Sequence, residues 1–133
     1  MKKIKTIYWI ATGIIILWEG VMPLFTLLFS PENINVGTRP LGYPDYFAYT
    51  LIIFKVLGVI AIAAKKTPAN VREWAYAGLG FNLIFAAISH AYVDGIIGFV
   101  IMPIAFLAIL AVSYVYQKKL RTSIDVIHPQ PAL

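Results

Sequence analysis

Four apolar stretches dominate the chain: Ile7–Phe29, Tyr46–Ala64, Trp74–Ala91 and Ile96–Tyr116. Each is about 18 to 23 residues long, and a helix needs about 20 to cross the hydrocarbon core of a bilayer. A segment in lipid must satisfy its backbone groups internally, so each stretch is expected to be a helix. Short connections favour neighbours packed side by side. The expected fold is all-α: an integral membrane antiparallel four-helix bundle, one domain over residues 1–117, with a flexible basic tail over 118–133. Composition agrees. The chain is 60% apolar and 13% charged, whereas soluble domains carry about 25% charged residues.

The opening "MKKIKTIYWI" imitates a secretory signal. The apolar run behind it is too long, Glu19 interrupts it, and no small-residue cleavage site follows, so the first span is expected to remain. Lysine and arginine set the orientation. Lys2, Lys3 and Lys5 precede the first span, Lys65, Lys66 and Arg72 lie between the second and third, and Lys118, Lys119 and Arg121 follow the fourth. Arg39 stands alone on the opposite side, and Lys55 lies inside a span. The rule puts the nine in the cytoplasm, giving a multi-pass protein of the cell membrane with both termini inside. The net charge of +5 is then a topology signal that matches anionic lipid head groups, not a nucleic-acid surface. Tyr8, Trp9, Trp74, Tyr114 and Tyr116 fall at the inner boundary, and Tyr43, Tyr46 and Tyr92 at the outer one.

Cysteine is absent, which excludes disulfides, thiolate nucleophiles and cysteine-based metal or iron–sulfur sites. The two histidines, His90 and His128, are too far apart to form a His-rich metal site. No nucleophile–base pair, metal set or phosphate loop is visible, so no catalytic residue is assigned and an enzyme ranks last among the readings.

Polar groups at one depth carry the rest. Glu19, Lys55 and Asn82 lie near the centres of the first three spans. A charge at a helix centre costs roughly 2.5–3.5 kcal/mol on translocon scales, so three such groups together need an explanation. Thr12, Glu19 and Thr26 form one stripe at spacings of seven. Ala75, Gly78, Asn82, Phe85 and Ser89 form another, with small residues that permit close approach, and Leu51, Lys55, Gly58 and Ile62 do the same on the second span. Pro23 and Pro103 can kink their helices. Two readings stay open. Glu19 and Lys55 form a structural ion pair bridged by Asn82, or they line a cavity that holds a ligand or proton. His90, near the outer end of the third span, and Tyr43, beside Pro44, are further candidate ligand contacts. A hydrogen-bonded interface residue and a turn residue are their plain alternatives.

The segments "LGYPDYFAYTLIIFKVLGVIAI" and "REWAYAGLGFNLIFAAISHAYVDG" resemble the DoxX-like family of small four-helix membrane proteins. The matching features are Leu41-Gly42-Tyr43-Pro44, Lys55 with Gly58, Glu73 through Gly78, and Ser89-His90. The resemblance covers spans two and three strongly and the remainder through spacing and topology. It implies little about activity. The family takes its name from subunits linked to an archaeal thiosulfate:quinone oxidoreductase, and distant relatives are described as assembly factors or small-molecule-binding proteins. The favoured expectation is a membrane protein that binds a small amphipathic or lipid-like molecule through Glu19, Lys55 and Asn82. A quinone is one candidate, and no other cofactor is evident. Trp18, Met22 and Phe85 would hold its body. The alternative is an accessory or assembly subunit of a larger membrane complex, with a purely structural polar cluster.

Overall fold

A computed structural model describes residues 2–36 and 38–127. Among these the chain is all-helical. The first rod comprises α1 (Lys2–Ile15), a π-helical turn (Ile16–Val21) and α2 (Met22–Phe29). It is followed by α3 (Asp45–Ala63), α4 (Ala69–Val93) and α5 (Ile97–Ile127). The four rods are long and apolar enough to cross a membrane.

Local chemistry sets the breaks. Pro44 is extended and α3 starts directly after it, with Asp45 in the first turn where a carboxylate suits the helix dipole. Arg39 and Asn35 hold that carboxylate from the long connection, with Arg39 Nη2 to Asp45 Oδ2 at 2.8 Å. Extended Pro68 precedes α4. Gly95, at φ +64°, turns the chain after α4 and donates to the His90 carbonyl at 2.7 Å. This left-handed position favours glycine. Asp94 accepts the Ile96 amide at 3.1 Å just before α5 begins.

Three helix limits differ from the hydropathy reading. The first rod begins at Lys2 rather than 7, α4 at Ala69 rather than 74, and α5 runs to Ile127 rather than 116. Hydropathy marks the hydrocarbon layer, whereas a helix continues into the interface on good formers such as lysine and arginine. No glycine or proline interrupts residues 117–127. Glu73 on α4 also ties down this end of α5, accepting from Tyr114 Oη at 2.7 Å and pairing with Lys118 at 3.3 Å. Residues 118–127 of the segment read as a flexible basic tail are helical. Residues 128–133 lie outside the described residues.

The helices pack in a cycle. α1 lies along α5, α5 along α4, α4 along α3, and the π turn against α3. One half of the molecule is filled by Ile15, Ile62, Tyr76, Leu79, Leu83 and Leu110. Within it the buried hydroxyls satisfy each other: Thr12 with Ser113 at 2.6 Å, and Tyr76 with Ser113 at 2.7 Å. An unpartnered buried hydroxyl would cost about 1–3 kcal/mol. At the other end, Ile34 from the long connection inserts beside Ala48 and Ile52 and holds that connection against α3.

Candidate functional site

The π turn begins the site. Pro23 has no N–H to give the Glu19 carbonyl one turn back, and its ring crowds that carbonyl. The helix widens instead, with the Met22 amide bonding the Leu17 carbonyl five residues earlier. Single π turns of this kind recur at functional sites. Glu19 and Gly20 lie on the widened turn, and both are buried.

Gly20 brings α3 close. A Cβ there would stand 2.8 Å from Val59 Cγ1, closer than carbon atoms pack. Lys55 lies one turn before Val59, and this approach lets its Nζ reach Glu19 Oε2 at 3.4 Å. Gly58 similarly meets Leu79 of α4, where a Cβ would lie 3.4 Å from Leu79 Cγ. Asn82 on α4 donates Nδ2 to the same Glu19 Oε2 at 2.9 Å. The sequence stripe assigned close approach to Gly78, but nothing lies within 4 Å of a Cβ there. Gly58, on the second-span stripe, has that role as expected, and Gly20 shares it.

The cluster retains unused bonding capacity. Glu19 is 1% exposed, and both its partners use Oε2. Oε1 takes no hydrogen bond from the described residues. Lys55 has three donor protons and makes this one ion pair, with its side chain 20% exposed. Asn82 commits one of its two amide protons.

Glu19, Lys55 and Asn82 floor a cavity of about 420 Å³ between the helices and under the long connection. Trp18, Met22, Phe85, Phe99 and Met102 contribute apolar wall. Tyr43, Ser89 and His90 line its other end. Asn82 and His90 are eight residues apart on α4, so the cavity extends about 12 Å along that helix. Tyr43 Oη bonds Ser89 Oγ at 2.7 Å, and its ring stacks on Phe47 at 4.3 Å. His90 Nδ1 lies 2.8 Å from Asp94 Oδ2. That contact, and then the Ile96 amide, holds the exposed Asp94 carboxyl below its ordinary value.

All five candidate contacts from the sequence thus line one cavity. Glu19, Lys55 and Asn82 meet, whereas Tyr43 and His90 sit at the far end and do not touch them. The seven-residue stripe faces the interior along the whole first rod, although its members meet different partners. Thr12 turns to Ser113, Glu19 faces the cluster, and Thr26 lines the cavity while its hydroxyl bonds the Met22 carbonyl at 3.0 Å. The sequence reading missed the contribution of α5. Phe106 stacks on Trp18, with centroids 4.6 Å apart and planes 11° apart, and Phe99 and Met102 complete the wall. Pro103 was the one signal in that span. Among the described residues no group of three His, Asp or Glu could hold a metal ion.

The model of the DoxX-like family matches residues 10–113, most of the chain. The chain belongs to the DoxX-like family. In this DoxX-like protein the matched region contains the π turn, all five candidate residues and the whole cavity wall. No curated protein and no solved structure gives a significant match.

Proposed function

We propose that this DoxX-like protein is a non-enzymatic membrane protein that binds a small amphipathic or lipid-like molecule in the cavity. A quinone is one candidate head. The observation that carries the reading is a cavity of about 420 Å³ floored by a charged pair with unused hydrogen-bonding capacity. Small-molecule sites run roughly 300–1,000 Å³, apolar in the main with a few polar groups that fix orientation. The floor carries one positive and one negative group, which favours an uncharged polar head. A carbonyl or hydroxyl oxygen would accept from Lys55 Nζ or from the free Asn82 amide proton, and a hydroxyl could donate to Glu19 Oε1. The apolar walls would hold the body.

In this reading the helices run antiparallel, with both termini in the cytoplasm. Support comes from the nine Lys and Arg at one side of the spans. It also comes from Tyr8, early in the first rod, donating to the carbonyl of Ile62, late in α3. The cavity then occupies the outer half of the membrane, under an external connection.

The competing reading is an accessory or assembly subunit whose polar cluster is a brace. Glu19 already being bonded by Asn82 and Lys55 favours it. Asn82→Leu separates the two. Leucine removes the amide while keeping the branched shape at Cγ, and a lost hydrogen bond of about 0.5–1.5 kcal/mol is a roughly two- to twelve-fold loss of affinity. A thermal-shift series with quinones and single-chain lipids should raise the Tm of the wild type and raise that of Asn82→Leu by less. Equal shifts, or none in either protein, would support the brace.

A further inference from the structure

We infer that the cavity is loaded sideways from the acyl-chain layer of the bilayer, through a gap between α2 and α5. Its occupant is then a lipid whose polar head reaches the floor while its hydrocarbon tail stays in the membrane. This rests on the reading of the cavity as a site for an amphipathic molecule and adds the class of ligand and its route.

The gap follows from how the first rod packs. α1 lies closely along α5, but α2 does not. The two part at the π turn, just beyond the stack of Trp18 on Phe106, which forms a sill. Past it, Met22 on α2 and Met102 on α5 both line the cavity, yet are 47% and 43% exposed. Leu83 and Ala48, on the wall between packed helices, are 3% and 2% exposed. Side chains that line a cavity and remain this exposed, on two helices that do not pack, mark an opening. Its rim is apolar, and methionine side chains rearrange easily around a chain of variable shape.

Among the described residues the other sides of the cavity are packed or tied down. Toward Tyr8 and Ser113, the layer of Ile15, Ile62, Leu79, Leu83 and Leu110 fills the bundle. Above the cavity, the long connection is anchored by buried Ile34 and by the Arg39–Asp45 pair. On the α3–α4 side, where Phe85 is also exposed, those helices pack together and the Tyr43–Ser89 bond ties the connection to α4.

The chain has three tryptophans and no cysteine, so a single probe is easily installed. Trp9→Phe with Trp74→Phe leaves Trp18, on the cavity wall, as the one tryptophan, excited selectively at the red edge of the absorption band. Met102→Cys adds one thiol at the rim, alkylated with a bulky maleimide in detergent before reconstitution. In phosphatidylcholine brominated on its acyl chains, Trp18 of the unalkylated protein should be strongly quenched, and alkylation should cut that quenching at least twofold. Val36→Cys, alkylated on the connection but off the cavity lining, should leave it unchanged. Emission in unbrominated lipid checks that each protein is folded alike. Absent quenching, quenching indifferent to the rim label, or quenching removed by the Val36 label instead would overturn the lateral route. The readout needs no bound ligand, so it can fail while the thermal shifts succeed, or the reverse.

Discussion

Gly20→Ala tests whether the approach of the π turn to α3 sets the site. The new methyl would sit 2.8 Å from Val59 Cγ1, 3.1 Å from its Cβ and 3.2 Å from its Cγ2. Comfortable carbon contacts are about 3.5–4.0 Å, so α3 or the turn must give way by about half an ångström or more. Val59 cannot swing aside cheaply, because a β-branched side chain in a helix has one strongly preferred rotamer. Overpacking of this kind costs about 1–3 kcal/mol. Against it stands the helix preference of alanine over glycine, up to about 1 kcal/mol. That gain shrinks in detergent or lipid, where helices persist in the unfolded reference state. The balance is a net loss of about 1–2 kcal/mol, read from unfolding in mixed micelles. In a Val59→Ala background the clash disappears and the same substitution should become neutral or stabilising. An equal penalty in both backgrounds would refute the argument, since the glycine would then matter for some reason other than Val59.

Two further outcomes follow from the cluster and the topology. Glu19→Gln and Lys55→Met should each destabilise, near or below the lower end of the roughly 3–5 kcal/mol typical of a broken buried pair, because Lys55 is 20% exposed on the cavity. The double change should recover much of the loss, and strict additivity in this cycle would mean the pair carries no coupling. For topology, Thr38→Cys should react with an impermeant maleimide on intact cells and Lys66→Cys only after permeabilisation; the reverse pattern would invert the orientation.

Much of this architecture is legible in the sequence because bilayer thickness imposes a length that hydropathy can read. The limits of the helices are less legible, since a helix outlasts the hydrocarbon layer wherever lysine and arginine can reach the interface, as at Lys2–Lys5 and beyond Gln117. The shared depth of Glu19, Lys55 and Asn82 was readable because a polar group at mid-span is costly anywhere else. The inward face of the first span was readable too, since Thr12, Glu19 and Thr26 at spacings of seven all face the interior; which partner each of them meets was not. The closeness of Gly20 to Val59 and of Thr12 to Ser113 depends on pairings between distant segments, and small residues or hydroxyls are too common in membrane helices to single out. Phe99, Met102 and Phe106 carry no signal of their own in an apolar span; their place depends on Phe106 meeting Trp18 and on Phe99 and Met102 lining the cavity.

The most direct test of the central claim is native mass spectrometry of the protein released from mild detergent. The account predicts a discrete adduct of small-molecule mass on the wild type, with a head that fits a cavity of about 420 Å³. The adduct should be lost or much reduced in a folded Lys55→Met protein and identifiable as an uncharged polar-headed lipid after extraction. A wild-type spectrum without such an adduct, even after incubation with lipid extract, or an adduct equally retained by Lys55→Met, would contradict it.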